Sequence, residues 1–425
     1  MSKEKLSKTQ EYAFNRFLAG HNLVISGDAG TGKSYLLKKI IEYLRKNNKN
    51  VMVCAPTGVA ALNVKGVTLH RAFKIPIQAL VEPPTMAANV LYSTDVVIID
   101  EIGMCRFDVF NFISAQIEHV NKKRAKDQKK QIQLIVCGDF FQLPPVITDS
   151  DKKIFSQVYG FPVRVGYAFL SPYWDMFNFE YVLLTDVIRQ KDEYFASLLR
   201  EARLGIRDVV TEFNCMCKNG FNDNAITLFG TNKKAEDYNS YKLEQIDAKP
   251  TIYYASKSGI VNEADKAVPE CLELKVGARV MSVMNSMNNM YSNGSLGTVT
   301  MLTNDGARVL FDSGVECFIE RYTWEIQKYV YNPDLHKVEA VVIGSYEQLP
   351  LKLAYAITIH KSQGQTYDSV NIDPYSWDYG QLYTALSRCS TIQNMWLIQY
   401  IKPEYLKASP DVVNFYKDIK WNTYL

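Results

Sequence analysis

Short runs of Val, Ile and Leu recur along the first part of the chain, each ending on small or polar residues. Leu23-Val24-Ile25 leads into Gly27, and Val51-Met52-Val53-Cys54-Ala55 into Pro56-Thr57-Gly58. Val96-Val97-Ile98-Ile99 leads into Asp100-Glu101, and Gln133-Leu134-Ile135-Val136-Cys137 into Gly138-Asp139. Runs without polar alternation predict strands buried on both faces, hence a parallel sheet covered by helices. Segments of helical period intervene: Lys8 to Ala19, with Tyr12, Ala13, Phe14 and Phe17 facing inward, and Tyr35 to Ile41. All four strands carry their polar residues at the C-terminal end, the edge on which open α/β sheets bind ligands.

After a boundary near Asn178 the alternation resumes. Tyr181-Val182-Leu183-Leu184 reads as a strand, Phe195 to Leu204 as a helix, and Ala225 to Phe229 as the next strand. From Lys275 to about Leu351 short stretches punctuated by Gly and Asn take over: Arg279 to Val283, Gly297 to Met301, Arg308 to Phe311, Glu316 to Ile319 and Ala340 to Ile343. That pattern predicts a small antiparallel β barrel. Leu353 to Thr366, Val370 to Asp373, a helix carrying Tyr383 to Arg388, and Met395 to Ile398 restore the α/β pattern. The expected fold is α/β with two parallel-sheet domains, 1–178 and 179–425. The barrel is inserted in the second at about 298–351, and a proline-rich excursion (Pro76, Pro83, Pro84) leaves the first at about 75–85.

Composition narrows the class further. A chain of 425 residues is too long for one core, in agreement with two domains. Its 47% apolar and 22% charged residues are those of an ordinary globular protein. A net charge of +3 neither requires nor excludes a nucleic-acid partner. The basic run Lys122 to Lys130 reads first as a solvated loop and second as a DNA-facing patch. No apolar run is long enough to cross a membrane and the first residues lack an apolar signal core, so no membrane partner and a cytoplasmic location are expected. Eight scattered cysteines, with Cys215 and Cys217 the one close pair, read as reduced structural thiols. The five histidines lack ligand spacing, which argues against a histidine metal site.

The chemistry concentrates at the polar ends of the strands. Gly27-Asp28-Ala29-Gly30-Thr31-Gly32-Lys33-Ser34 fits the phosphate-loop pattern and lies between a strand and a helix, the context in which that pattern works. Glycines let successive N–H groups wrap a polyphosphate, and the helix N-terminus adds positive potential. Gly27, Ala29, Gly30, Thr31, Gly32, Lys33 and Ser34 are the candidate cradle, with Lys33 for the β- and γ-phosphates and Ser34 for Mg²⁺. The alternative, a chance glycine-rich turn, does not account for the flanking strand and helix. Asp100 suits Mg²⁺ held through water, and Glu101 suits a proton acceptor for the attacking water; two acids ending a strand at the surface are the alternative. Gln142, in Gly138-Asp139-Phe140-Phe141-Gln142-Leu143-Pro144-Pro145, is placed for the γ-phosphate or that water. Gln10 has the donor and acceptor that adenine requires, although alone it reads better as a solvated helix residue.

Taken in order, these pieces resemble superfamily 1 helicases, most closely the Pif (petite integration frequency) and RecD-like branch that moves 5′ to 3′ on single-stranded DNA. The resemblance is carried by Gln10, the phosphate loop, Ala55 to Ala61, Thr68 to Phe73, Asp100 to Met104, Gly138 to Pro145, Arg189-Gln190, Asn293 to Val299, Thr358 to Thr366 and Ala385 to Arg388. Gly103 departs from it, since the family more often has Ser after Asp-Glu-Ile.

The resemblance implies two RecA-like domains with ATP and Mg²⁺ in the cleft between them, a barrel of the Src-homology-3 type, and a strand-splitting wedge in the 75–85 excursion. It places Arg189 and Arg388 across the cleft on the transferring phosphoryl group, where sequence alone would read surface ion pairs, and adds Gly364 to the nucleotide contacts. Pro56, Thr57, His70 and Phe73 of the first domain and Thr358, His360, Lys361 and Ser362 of the second would grip DNA. Hydroxyls and cations would hold phosphates and Phe73 would stack on a base, with core packing its equal alternative. The implied partners are single-stranded DNA and tailed or forked duplex, with G-quadruplex DNA and RNA–DNA hybrids as further candidates. A monomer is expected in the absence of DNA, nucleoid-associated in a bacterium or phage. The main alternative is a phosphate-loop NTPase not coupled to DNA. A non-hydrolysing scaffold is disfavoured by the intact Lys33, Ser34, Asp100, Glu101 and Gln142.

Overall fold

The apolar runs of the first half form one parallel sheet of six strands: β1 (Leu23–Gly27), β2 (Val51–Ala55), β3 (Val67–Thr68), β4 (Val96–Ile99), β5 (Gln133–Cys137) and β6 (Glu180–Leu184). The structure, a computed structural model, describes residues 6–76, 80, 89–160, 163–186, 192–286, 288, 290–291, 293–332 and 337–422. Every residue of β1 and β4 is buried, and alternate side chains go to opposite faces. Leu23 and Ile25 pack with Ala13, Phe17, Leu37 and Ile40, whereas Val24, Val97 and Ile99 pack with Phe110, Ile113 and Ile117. The opening helix, Lys8–Leu18, starts at a capping box in which Ser7 and Gln10 exchange side-chain and backbone hydrogen bonds. The strand order β3-β2-β4-β5-β1-β6 puts β5 between β1 and β4, so the residues that follow these three strands share one edge.

The expected boundary near Asn178 is corrected by β6. Instead of opening the second domain, it pairs in parallel with β1 from Leu23↔Glu180 to Gly27↔Leu184 and completes the first sheet. An apolar run reports that a strand is buried; it does not report which sheet buries it. The chain then forms the helix Glu193–Arg203 and a second parallel sheet, in the order Ala356–Thr358, Ile226–Phe229, Val370–Ile372, Met395–Leu397, Lys218–Asn219.

An antiparallel domain is inserted in this second unit, as expected, and its strands span a wider range than 298–351. Leu296–Leu302 pairs with Arg279–Ser282, which pairs in turn with Leu351–Leu353. Strands Thr251–Tyr254, Ser256–Gly259 and Cys271–Leu274 join the same region. All four residues of Ser256–Gly259 are exposed, so no apolar alternation marked them. A long antiparallel pair, Tyr322–Asn332 with Lys337–Gln348, belongs to the insert and buries Trp324, Ile326 and Tyr346 in a small cluster with Val268 and Val283.

Past the second sheet the chain returns to the first domain, although 179–425 was expected to form the second. In the helix Pro410–Asp418, Phe415 stacks on Phe169 at 4.1 Å and the Tyr416 hydroxyl lies 2.5 Å from that of Ser26; past the helix, Asn422 bridges to Val182 of β6. Of the expected 75–85 excursion, Ile75 and Leu80 are buried in the first-domain core and Leu80 N–H donates to Asp108 at 3.0 Å. Its residues 77–79 and 81–85 lie outside the described residues.

Candidate nucleotide site and interdomain cleft

The loop after β1 has the backbone that its glycines permit: Gly30 and Gly32 both take positive φ, 88° and 75°, which an L side chain rarely adopts. Lys33, the first residue of helix Lys33–Lys46, turns its Nζ back onto the carbonyl oxygens of Gly27 and Asp28 at 2.8 and 2.9 Å. The ammonium is thus held over the mouth of the loop. The Thr31 hydroxyl donates to Asp28 O at 3.0 Å. Gln10 donates to the carbonyls of Thr31 and Gly32 at 3.2 and 3.3 Å, while its Oε1 accepts from Ser7 N–H at 3.1 Å. It is therefore no solvated helix residue: its amide fastens the opening helix to the phosphate loop.

Two strands away, Asp100 is buried and Glu101 turns sharply, with φ 53°. Glu101 N–H donates to Asp100 Oδ1 at 3.0 Å. Burial, reinforced by the charge of Glu101 and opposed by that same hydrogen bond and Lys33, pushes Asp100 up to about 7. Burial also raises Glu101, against Lys33, Arg388 and Gln363. Two adjacent carboxylates in a dry site favour a cation beside them. Among the described residues no cluster of three His, Cys, Asp or Glu could hold a metal alone. The donor set therefore fits Mg²⁺ shared between Ser34, Asp100 and nucleotide phosphates rather than a protein-only metal centre. Gln142 is buried in the loop that follows β5. Gly103 has a steric cause: a Cβ there would meet Asp139 O at 2.9 Å.

The second domain supplies the other wall. Gln363 Nε2 donates to Glu101 Oε2 at 3.0 Å, and a Cβ at Gly364 would lie 3.7 Å from Glu101 Oε1. Arg388 is fully buried just beyond helix Gln381–Leu386. It donates to Thr384 O at 2.9 Å, to Ser362 O and Gln365 O at 3.2 Å each, and to the Ser387 hydroxyl at 2.7 Å. Burial lowers its pKa against the opposing charge of Glu101. Arg189 lies outside the described residues.

The expected DNA grips divide. Pro56 and Thr57 follow β2, and Thr57 caps the helix Gly58–Asn63 by accepting from Ala60 N–H at 3.2 Å. Thr57, Gly58, Thr68 and Arg71 face Asp265, Trp324 and Gln327 of the insert across a cavity of about 210 Å³, and Arg71 pairs with Asp265 across it. His70 is half-buried, and burial lowers its pKa, as it does that of His360. Thr358 ends its strand and accepts from Lys361 N–H at 3.3 Å; the Lys361 side chain is exposed. Two expectations are corrected. Phe73 is fully buried in the first-domain core and presents no ring face to a groove, because the short helix Leu69–Phe73 turns its apolar side inward. Ser362 is also fully buried: its hydroxyl donates to Ile359 O at 2.7 Å and its carbonyl holds Arg388, so it shapes the loop.

Sequence reasoning assigned nothing to a buried chain of groups beside the phosphate loop. Arg203, the last residue of helix Glu193–Arg203, donates to Asp139 at 3.0–3.2 Å and lies 3.4 Å from Asp28. Its guanidinium faces the rings of Phe141 and Tyr416 at 4.3 and 5.1 Å. Tyr383 reaches Asp139 from the second domain at 3.1 Å. The available signal was an arginine ending an otherwise amphipathic helix, which says nothing about a partner.

A phosphate loop and an acidic pair on one parallel-sheet domain, closed by a second such domain that buries an arginine at the same cleft, define a two-domain phosphate-loop NTPase of the RecA-like motor type. The family described as PIF1-like helicase matches residues 5–205, and the UvrD-like helicase C-terminal domain matches 353–391. The chain is 33% identical to ATP-dependent DNA helicase PIF1 of Danio rerio over 98% of its length, and spans 64% of that protein. It is 31% identical to ATP-dependent DNA helicase Pif1 of Bdellovibrio bacteriovorus, spanning 92% of it. Bacteroides Pif1 in complex with ADP-AlF4 superposes with a TM-score of 0.83 at 30% identity, covering 98% of this chain and 97% of that one. The same protein bound to single-stranded DNA gives 0.70. The chain belongs to the PIF1-like helicases, a family of ATP-dependent DNA helicases.

Proposed function

We propose that this chain uses ATP hydrolysis to move 5′ to 3′ on single-stranded DNA and to open tailed or forked duplexes. One observation supports this most: Glu101, beside Asp100 and within the field of Lys33, meets Gln363 of the other domain at 3.0 Å, with Arg388 behind the same loop. Groups suited to hydrolysis are divided between two domains, so turnover and relative domain movement become one event. In this reading Lys33 and the loop N–H groups bind the phosphates, while Ser34 and Asp100 hold Mg²⁺, which supplies charge neutralisation there. Glu101 takes the proton of the attacking water, Gln142 orients it, and Arg388 with Arg189 offsets charge on the leaving phosphoryl group. Thr57, His70, Thr358, His360 and Lys361 face the DNA strand.

Relatives named ATP-dependent DNA helicases support DNA as the partner, as do a Bacteroides Pif1 structure bound to single-stranded DNA and a Pif1 structure concerned with unwinding at forked duplex DNA. The polarity follows from the family branch that the motifs resemble. The same strand tracking would open a G-quadruplex or an RNA–DNA hybrid in its path, and the chain would be a monomer until DNA is bound. The test is ATP turnover with and without single-stranded DNA, in the wild type and in Lys33→Ala. Turnover should rise steeply with the strand and little with blunt duplex. Lys33→Ala should lose hydrolysis by orders of magnitude while binding the strand within a few fold of wild type. Equal turnover with and without DNA would overturn the coupling and leave an uncoupled NTPase.

A further inference from the structure

The phosphate loop is tied to the second domain by a route that none of the groups assigned to hydrolysis explains. Tyr383, on helix Gln381–Leu386, is 1% exposed. Its hydroxyl accepts from Ala29 N–H, inside the loop, at 3.1 Å and lies 3.1 Å from Asp139 Oδ2. A carboxylate can only accept, so the hydroxyl proton goes to Asp139 and its lone pairs face Ala29. The carboxylate is held in turn by the Arg203 fork, whose Nε lies 3.4 Å from Asp28, the residue before Ala29. Asp28, Arg203, Asp139 and Tyr383 thus close a ring on the first half of the phosphate loop, buried except at Asp28. Removing one charged partner from a buried pair such as Arg203 and Asp139 is strongly destabilising, so stability is read beside turnover for every variant of it.

We infer that Tyr383 is a positioning residue for the reaction. Its hydroxyl sets the register between the phosphate loop and helix Gln381–Leu386, and so the placement of Arg388, which holds that helix through Thr384 O at 2.9 Å. Arg203 and Asp139 act through Tyr383 by fixing where its proton points. The inference rests on the ATPase reading above and deepens it.

The test is Tyr383→Phe, which keeps the ring and removes only the hydroxyl, with Asp139→Asn and the double variant. The kcat for ATP of Tyr383→Phe should fall about tenfold, equivalent to about 1.4 kcal/mol in the barrier, with KM within twofold and Tm lowered only by the few degrees that one orphaned Ala29 N–H costs, all read at a temperature where the variant is folded. Because the two groups act as one chain, the double variant should be no slower than the slower single. An unchanged kcat, a loss that tracks Tm, or multiplied effects in the double variant would each overturn the assignment. Should Asp139→Asn fail to fold, Arg203→Lys replaces it, keeping the charge and losing the fork. Turnover is measured with and without DNA. A wild type that DNA fails to stimulate would refute the coupling while basal kcat still tests Tyr383.

Discussion

Replacing Arg388 separates a group used in the reaction from one that merely holds its loop. Its guanidinium donates four hydrogen bonds, to the carbonyls of Thr384, Ser362 and Gln365 and to the Ser387 hydroxyl. Arg388→Ala strands three carbonyls, and each orphaned buried acceptor costs about 1–3 kcal/mol before water or relaxation recovers part of it. That predicts a lowered Tm and some loss of loop order. A finger acting on the transferring phosphoryl group is worth about 10³–10⁵ in rate, or about 4–7 kcal/mol of barrier. The two effects have different signatures. Loss of loop order alone would weaken nucleotide binding and turnover together, whereas loss of the finger lowers kcat with nucleotide affinity nearly intact. Arg388→Lys keeps a charge but, with one nitrogen, cannot serve Ser362 and Gln365 while also holding Thr384 O and the Ser387 hydroxyl as Nε and Nη2 do, and should still lose about 10²–10³ in kcat. The assay is steady-state ATP turnover at saturating single-stranded DNA, with nucleotide affinity measured by titration and Tm by melting. Turnover of either variant within tenfold of wild type, at a temperature where both are folded, would refute this placement of Arg388.

Two further outcomes follow from packing. Gly103→Ser restores the residue more usual in the family, yet its Cβ would press on backbone, 2.9 Å from Asp139 O and 3.5 Å from Phe140 Cα. It should destabilise by about 1–3 kcal/mol and slow turnover, because the loop carrying Gln142 must shift; an unchanged melting curve and kcat would show that the loop gives way freely. Phe415→Ala removes the ring stacked on Phe169 at 4.1 Å. Since Phe415 is only partly buried, the loss should be about 2–3 kcal/mol, below that of a fully buried ring, read as a lower Tm and faster proteolysis after residue 410.

The parts of the molecule that could be read from sequence are those where one physical demand dictates residue type. Strands buried on both faces need continuous Val and Ile, and a loop that wraps phosphate needs glycine at positive φ, so β1, β2, β4, β5 and Gly27 to Ser34 were legible. Where one residue type serves two demands, reading failed. Phe73 suits a base or a core, and the structure gives it to the core. Ser362 suits a phosphate or a carbonyl, and it takes the carbonyl of Ile359. Relations between distant segments were illegible in kind: β6 joining the first sheet, helix Pro410–Asp418 returning to it, and Arg203 finding Asp139. Ser256–Gly259 escaped because its residues are all exposed and follow no apolar period.

Direction of movement separates a 5′-to-3′ motor coupled to ATP from every other reading of this cleft. A duplex with a 5′ single-stranded tail and the same duplex with a 3′ tail are each mixed with the protein, ATP and Mg²⁺, and strand release is followed over time. Release is expected from the 5′-tailed substrate and none above background from the 3′-tailed one, with Lys33→Ala inactive on both. Equal release from both, release only from the 3′-tailed duplex, or release by Lys33→Ala would rule out a 5′-to-3′ motor driven from this phosphate loop.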